Sequence, residues 1–135
     1  MPRTTESRFR VRYAETDQMG FVYYSNYLIW MEIGRADFCR ESGFSYADME
    51  KETQTFLAVA EANCRYITAA RYDQEVVIHT RLEHAKRRYL KFTYSVLNAA
   101  TGTLIAEGYT VHVPLGEDSR PKSIPDHYFD KLAAL

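Results

Sequence analysis

The 135-residue sequence has only two cysteines, no long apolar run and a formal net charge close to zero. Cys39 and Cys64 lack the spacing of a disulfide framework, so we expect two buried free thiols. The absence of a long apolar run excludes a transmembrane helix, and the polar N-terminus has no signal-peptide core, so we expect a cytoplasmic protein with no membrane partner. A net charge of −1 gives no general reason to bind nucleic acid.

Most motifs that identify an enzyme class are also absent. The histidines are scattered, and none has metal-ligand spacing with cysteine or carboxylate residues: His79, His84, His112 and His127. There is no glycine-rich phosphate loop and no serine in a nucleophile elbow. These absences disfavour a metalloenzyme, a P-loop protein and a serine hydrolase, and we expect neither a metal nor an organic cofactor.

The sequence contains the pattern of a single domain over residues 1–135, without an internal repeat or a low-complexity linker. Its first seven residues are polar, and we expect them to be loosely ordered. An alternating run over 8–13 then predicts a strand. A turn containing Asp17 and Gly20 follows, because aspartate bonds nearby amides and glycine tolerates positive φ.

A long helix is predicted from Tyr24 to Ser42, with Gly43 closing it. Apolar residues cover much of its circumference, which is typical of a helix buried by more than one neighbour, and they include Ile29, Trp30 and Ile33. Trp30 is predicted to pack in the core. Gly34 suggests the close approach of another backbone. Glu32 and Arg35 have the spacing of an intrahelical ion pair.

The second half of the chain is dominated by strand-like alternation. A short helical segment over 45–52, capped by Ser45, precedes it. Pro125 is suited to the first position of a last helix over 126–133. The predicted strands have one apolar side and one mixed side, which favours an antiparallel sheet covered on one face, and they span 56–67, 75–85, 89–98 and 103–114. With the first strand, this predicts an α+β fold, an antiparallel sheet of about five strands wrapped around the long helix.

Asp17 precedes the start of the long helix, where backbone N–H groups are free and the helix dipole is positive. An ester or thioester carbonyl would be well placed for hydrolysis there. The same position is ordinary for a carboxylate that only stabilises a turn, and geometry alone favours that interpretation. Glu15 is interpreted as a surface or strand-end residue.

The string from Asp17 to Tyr27, DQMGFVYYSNY, followed by a helix with Glu32 and Arg35, resembles the signature of the 4-hydroxybenzoyl-CoA thioesterase-like family. The resemblance extends from about Phe9 to the segment 121–125. It implies a hotdog fold and hydrolysis of acyl-CoA thioesters. Asp17 would then be the nucleophile or the general base.

The resemblance also implies roles for the residues around Asp17. The backbone N–H of Tyr24 would stabilise the oxyanion, and Gly20 would let the turn approach the substrate. One branch of the family has a histidine where this sequence has Tyr24, which leaves Asp17 as the only strong candidate for the chemistry.

A basic cluster, Lys86, Arg87 and Arg88, lies between two predicted strands. It is either a solvated hairpin tip or, as the resemblance implies, an anchor for the phosphates of coenzyme A. Glu61 and Asn63 are weaker candidates for the substrate site, facing Asp17 of a second subunit. We expect a homodimer that assembles to a homotetramer, because a lone sheet leaves two unpaired edges.

Three alternatives to an acyl-CoA thioesterase remain open from the sequence. The same fold supports dehydration of 3-hydroxyacyl thioesters, but this chemistry needs a histidine that the motif region lacks. The protein would otherwise be a non-catalytic acyl-thioester binder, or a hydrolase of acyl-carrier-protein thioesters. The last would need a basic surface, for which the cluster at 86–88 is thin support.

Overall fold

In the computed structural model, which describes residues 3–134, five antiparallel strands form one sheet around a long helix. The elements in chain order are β1 (Thr4–Arg10), a 3-10 turn (Tyr13–Glu15), α1 (Asn26–Ser42), α2 (Tyr46–Thr53), β2 (Phe56–Tyr66), β3 (Glu75–Lys86), β4 (Tyr89–Asn98), β5 (Leu104–Leu115) and α3 (Asp126–Ala133). The strand order is β1-β3-β4-β5-β2, so β1 and β2 form the two edges. The predicted α+β arrangement is confirmed.

The core lies between α1 and the inner face of the sheet. From α1, the side chains of Trp30, Met31 and Phe38 are fully buried or nearly so. The ring of Phe38 meets that of Phe92 on β4 edge to face, with centroids 5.6 Å apart. The predicted alternation of β4 is confirmed, since its inner residues are all buried: Leu90, Phe92, Tyr94 and Val96.

α1 begins two residues later than the sequence predicts, at Asn26. Tyr23 and Tyr24 remain in the preceding turn, where the Tyr23 amide donates to the carbonyl of Glu15. The end of α1 agrees with the prediction, because Gly43 has a φ of 104° and closes the helix in the left-handed region. The predicted cap of α2 is also present, with Ser45 Oγ accepting from the Asp48 amide at 3.2 Å.

The prediction of a loose N-terminus is wrong within the described residues, and Met1 and Pro2 lie outside them. Residues from Thr4 onward pair with β3. The hydroxyl of Thr5 donates to Glu41, and that of Ser7 donates to Asp37 at 2.6 Å. Because α1 supplies acceptors for these hydroxyls, polar residues occupy an inner face where sequence reasoning expects apolar ones. β1 also ends earlier than predicted, at Arg10, and does not reach Tyr13.

Two predictions about the surface of α1 also need correction. A Cβ at Gly34 would collide with the hydroxyl of Thr80 on β3, so the glycine accommodates a side chain and not another backbone. No ion pair joins Glu32 to Arg35 within residues 3–134. Trp30 is buried inside its own chain, as predicted for a core residue, and it therefore adds nothing to the apolar surface outside the sheet.

β2 is an edge strand with much of its apolar surface in solvent. Phe56, Val59 and Tyr66 are all more than a third exposed, and Val59 is 53 % exposed. A bulge between Val59 and Glu61 shifts the pairing with β5. On the neighbouring surface of α1, Ile29 is 50 % exposed. Within residues 3–134, no strand pairs with the outer edge of β2, and part of α1 remains exposed beside it.

The cysteines agree with the expectation of free thiols. Cys39 is fully buried and Cys64 is half-buried. Burial raises the pKa of the Cys39 thiol to about 11, so this thiol is inert at neutral pH. None of the helices within residues 3–134 is long and apolar enough to cross a membrane.

Candidate active site

Asp17 lies in a tight turn that follows the 3-10 turn. Its amide donates to the carbonyl of Phe21 at 2.7 Å, and its own carbonyl accepts from the Gly20 amide at 3.0 Å. Gly20 has a φ of +79°, a conformation that other residues adopt only with strain. The predicted reason for a glycine here is therefore confirmed, and the turn is closed by backbone bonds on both sides of Asp17.

The Asp17 carboxylate is half-buried, and its two oxygens have different environments. Oδ1 accepts from the amides of Met19 at 2.8 Å and Phe21 at 3.1 Å. No protein group within residues 3–134 donates to Oδ2. The main chain thus fixes the orientation of the carboxylate through one oxygen and leaves the other available to a water molecule or a substrate carbon.

Two backbone amides next to this turn also have no acceptor. The amides of Tyr23 and Asn26 donate to Glu15 and Tyr23, respectively, at 2.8 and 2.9 Å. Between them, the amides of Tyr24 and Ser25 donate to no group in the described part of the chain. They lie at the positive end of α1, where unsatisfied N–H groups attract a developing negative charge.

A groove of about 380 Å³ joins Asp17 to the start of α1. Its walls are mainly aromatic: they include Phe21, Tyr23, Tyr24, Tyr27 and Tyr66, with Val22 and the segment 67–69. The hydroxyl of Tyr66 donates to the carbonyl of Tyr24 at 3.0 Å, which ties the end of β2 to the turn. An apolar groove lined by the Asp17 carboxylate and by Tyr24, whose amide is free, suits a ligand that is apolar around a single polar group.

Glu15 is the residue of this region that sequence reasoning missed. It is buried, which contradicts the predicted surface position. Its carboxylate accepts from the indole Nε1 of Trp30 at 2.8 Å and from the backbone amide of Arg12 at 2.8 Å. Burial alone would raise the pKa of Glu15, but the bonds from Arg12 and Trp30 outweigh burial and lower it. The donor Trp30 is fifteen residues away from Glu15 in the sequence, so no local sequence pattern predicts this contact.

The basic cluster lies at the hairpin between β3 and β4, as predicted, with Lys86 ending β3 and Arg87 and Arg88 forming the turn, and all three residues are exposed. Arg87 pairs with Asp126 of α3, and its guanidinium lies 4.7 Å from the ring centroid of Phe129. The Nε of Arg88 reaches Ser123 at 3.4 Å. Lys86, Arg87 and Arg88 do not line the groove around Asp17.

Glu61 and Asn63 do not border the groove of their own chain. Both pair with outward-facing residues of β5, on the sheet face opposite α1. Glu61 accepts from the hydroxyl of Tyr109, and Asn63 lines a separate depression with Arg65 and Tyr109. The bulge after Val59 determines which face they occupy.

No group of three metal-ligating side chains occurs among residues 3–134. His112 is buried on the inner face of β5, where burial first and nearby Arg35 second lower its pKa to about 4. It bonds the hydroxyl of Thr110 at 2.9 Å. The arrangement fits the predicted structural role of a neutral histidine.

Comparison with known proteins agrees with the motif. The family model described as the Thioesterase-like superfamily matches residues 11–132. Putative acyl-CoA thioesterase YneP of Bacillus subtilis is 36% identical over 127 residues, which cover 90% of this chain and 91% of that protein. Acyl-CoA thioester hydrolase YbgC of Escherichia coli is 30% identical over 119 residues, covering 86% of each chain.

Solved structures with the same fold include DHNA-CoA thioesterase from Staphylococcus aureus. It is 34% identical, with a TM-score of 0.87, and the match covers 94% of this chain and 84% of that one. The structure of 4-hydroxybenzoyl CoA thioesterase has a TM-score of 0.87 at 19% identity, over 97% of this chain and 99% of that one, and shares the fold. The chain therefore belongs to the thioesterase-like superfamily, within the 4-hydroxybenzoyl-CoA thioesterase-like family of hotdog proteins that its motif resembles.

Proposed function

We propose that this protein is an acyl-CoA thioesterase that hydrolyses a thioester to a free acid and CoA, with Asp17 as its catalytic carboxylate. Membership of the family makes the chain a thioester hydrolase, as the sequence predicted. The observation that carries the specific proposal is that Asp17 and Tyr24 line one groove. Within residues 3–134, the Oδ2 atom of Asp17, the amide of Tyr24 and the adjacent amide of Ser25 have no hydrogen-bond partner.

The thioester carbonyl would lie with its oxygen toward the amides of Tyr24 and Ser25. Addition to the carbonyl carbon places negative charge on that oxygen, and the two N–H groups at the start of α1 stabilise it. Gly20 keeps the turn free of a side chain on the approach to the groove. The tetrahedral intermediate then collapses with loss of the CoA thiolate, which is a better leaving group than an alkoxide because thiols are more acidic.

Asp17 serves this reaction in one of two ways. As a general base it removes a proton from a water molecule, whose oxygen adds to the carbonyl. As a nucleophile it adds through Oδ2 and forms a mixed anhydride, which water then cleaves to the acid and free Asp17. Both routes need an ionised carboxylate with one oxygen available, and both use only groups of the chain itself.

The basic turn at Lys86, Arg87 and Arg88 is proposed to bind the phosphates of CoA. Its support is the exposure of three adjacent cations at one hairpin. Arg87 would exchange its exposed partner Asp126 for a phosphate group, which a guanidinium can also bind through two parallel hydrogen bonds. Glu61 and Asn63 lie outside the groove of their own chain, and they are proposed to face Asp17 of a second subunit.

The acyl group is proposed to be aromatic. The five aromatic side chains of the groove favour offset or edge-to-face contacts with a planar ring. A relative at 34% identity, the S. aureus protein, is named as a DHNA-CoA thioesterase. An aliphatic chain of similar volume would gain burial but not these ring contacts.

A homodimer is proposed as the minimal active unit, with a tetramer as a further step. The support is the unpaired β2 edge with its exposed apolar residues, next to half-exposed Ile29 on α1. Pairing two β2 edges about a two-fold axis would cover these residues and wall the open side of the groove. Light scattering at micromolar concentration tests this directly, and an active monomer would contradict it.

A panel of acyl-CoA thioesters, assayed by the release of free thiol, tests the function. We expect turnover of CoA thioesters, with aromatic acyl groups giving the highest kcat/KM. Binding without turnover of any member would favour the non-catalytic binder. Faster hydrolysis of carrier-protein thioesters than of CoA thioesters carrying the same acyl group would favour the carrier-protein hydrolase.

A further inference from the structure

We infer that Glu15 is a positioning residue that holds Asp17 and the Tyr24 amide in a fixed relative position. The inference rests on the proposed function, since it concerns the two groups assigned to the chemistry there. Glu15 precedes Asp17 by two residues, and its side chain and main chain together contact both sides of the active-site turn.

The side chain of Glu15 joins the turn to the first helical turns of α1. One oxygen, Oε1, accepts from the backbone amide of Arg12 at 2.8 Å. The other, Oε2, accepts from the Trp30 indole at 2.8 Å and from the Arg12 guanidinium at 3.3 Å. Trp30 is fully buried against Phe9 and Tyr27, so its N–H is a rigid anchor within the core.

The carbonyl of Glu15 makes the second connection. It accepts from the Tyr23 amide at 2.8 Å and from the side-chain Nδ2 of Asn26 at 2.9 Å. Tyr23 immediately precedes Tyr24, and Asn26 is the first residue of α1. One residue therefore holds the peptide that leads to the proposed oxyanion donor and also the chain that leads to the proposed catalytic carboxylate.

Glu15 is not placed to react with the substrate. Both of its oxygens are occupied by protein donors, and it does not line the groove that contains Asp17. Glu15 would therefore affect the reaction by fixing the positions of Asp17 and the Tyr24 amide. Misplacing reacting groups by about 1 Å can cost about 100-fold in rate, so a loosened turn should lower kcat far more than it changes KM.

The ionised form of Glu15 is the form that the surrounding donors require. Burial opposes the charge, but the bonds from Arg12 and Trp30 outweigh burial, and the folded-state pKa lies below the usual value. The stabilisation from these bonds is therefore complete above the unfolded pKa of about 4.3, and it is lost as pH falls through the lower, folded-state pKa.

The test is Glu15→Gln, which keeps the size of the side chain and replaces one acceptor oxygen by an N–H₂ group that opposes the Trp30 or Arg12 donors. We expect kcat to fall at least about tenfold with KM nearly unchanged. Leu132→Ala serves as a control for stability, because Leu132 is buried on α3, lines a separate depression with Phe38 and Leu82, and does not line the groove around Asp17. Its kcat should stay near the wild-type value at a similar loss of Tm.

Trp30→Phe provides a second variant, which keeps an aromatic ring in the core and removes the indole N–H donor together with part of the ring volume. We expect a smaller fall in kcat than for Glu15→Gln. The double variant with Glu15→Gln should lower kcat by less than the product of the two single fold-decreases, because both substitutions remove the same hydrogen bond. Should Glu15→Gln not fold, a kcat of Trp30→Phe equal to that of the Leu132→Ala control would overturn the inference.

A spectroscopic readout separates positioning from activity. Trp30 is the only tryptophan, so the protein has one indole N–H resonance in a ¹H–¹⁵N spectrum. We expect this resonance to lie downfield in the wild type and to move upfield in Glu15→Gln. A resonance at the free-indole position in the wild type would overturn the inference.

Asp17→Asn, measured in parallel, distinguishes a failure of the proposed function from a failure of the positioning role of Glu15. If Asp17→Asn is inactive and Glu15→Gln has the kcat of the Leu132→Ala control, Glu15 is only a stability residue and the proposed function stands. If Asp17→Asn keeps its turnover, the proposed function and the positioning role both fail.

Discussion

The turn before α1 and the turn between β3 and β4 both carry charged side chains, but they hold them differently. In the first turn, main-chain amides fix one oxygen of Asp17, and a buried Glu15–Trp30 bond holds the whole segment against α1. In the second turn, Arg87 and Arg88 reach exposed partners of the C-terminal segment through side-chain contacts.

This difference matches what each turn is proposed to do. Bond-breaking chemistry needs groups that stay in place, since catalytic power depends on preorganised donors and short, aligned contacts. Binding of phosphates needs positive charge that can adapt, and long exposed side chains provide that. The comparison predicts that substitutions at the first turn change kcat and that substitutions at the second change KM.

The largest effect is expected for Asp17→Asn. The substitution keeps the side-chain size and one acceptor oxygen for the Met19 and Phe21 amides, so the turn should fold. We expect kcat to fall by about 100- to 10,000-fold, the range for loss of an acid–base group, with little change in Tm. Asp130→Asn, an exposed substitution on α3, is the control and should leave kcat unchanged.

A smaller but clear loss is expected when the β2 edge carries a charge. Val59→Asp places a carboxylate at an exposed apolar position, where a second copy would bury it. We expect the mass by light scattering to fall to that of a monomer and kcat to fall at least about tenfold. Thr4→Asp, on the opposite edge of the sheet, is the matched control. An active Val59→Asp monomer would show that the first turn needs no partner.

At the second turn, Arg87→Ala with Arg88→Ala should raise KM for CoA thioesters about tenfold and leave kcat near the wild-type value. Inhibition by free CoA should weaken by a similar factor. Lys51→Ala on α2 removes an exposed charge elsewhere and serves as the control. An unchanged KM would make the cluster a solvated hairpin tip, and a lowered kcat would erase the contrast between the two turns.

The smallest effect concerns the contact between Arg87 and Asp126. Because this ion pair is exposed, Asp126→Asn should lower the free energy of unfolding by less than about 1 kcal/mol, as measured by urea denaturation. The KM for CoA thioesters should not rise, since the substitution frees Arg87 for a phosphate. A raised KM would mean that Asp126 orients Arg87 for the ligand.

The elements with strong periodicity could be predicted from the sequence to within about two residues. α1 is recognisable from its dense apolar residues and Gly43, and β4 from its alternation. The start of β1 is not predicted because Thr5 and Ser7 face inward only through acceptors on α1, which lie 36 and 30 residues away, respectively. The polarity of the local sequence does not indicate that a distant residue will accept these hydrogen bonds.

In the candidate site, too, residues set by local chemistry could be predicted, and residues set by distant contacts could not. Asp17 and Gly20 are recognisable because a turn requires their local chemistry. Glu15 was misplaced because its burial depends on Trp30, and the spacing of fifteen residues matches no local motif. The face of Glu61 and Asn63 depends on the bulge after Val59 and on where α1 packs, neither of which alternation alone determines.

The most direct test of the central claim is a single-turnover measurement of thioester cleavage, with enzyme in excess over a bound CoA thioester. It isolates the bond-breaking step from binding and product release. We predict that Asp17→Asn slows cleavage by the same large factor as kcat, and that the Arg87→Ala, Arg88→Ala variant cleaves its bound substrate at the wild-type rate. Cleavage by Asp17→Asn at the wild-type rate would contradict the assignment of the chemistry to the turn before α1.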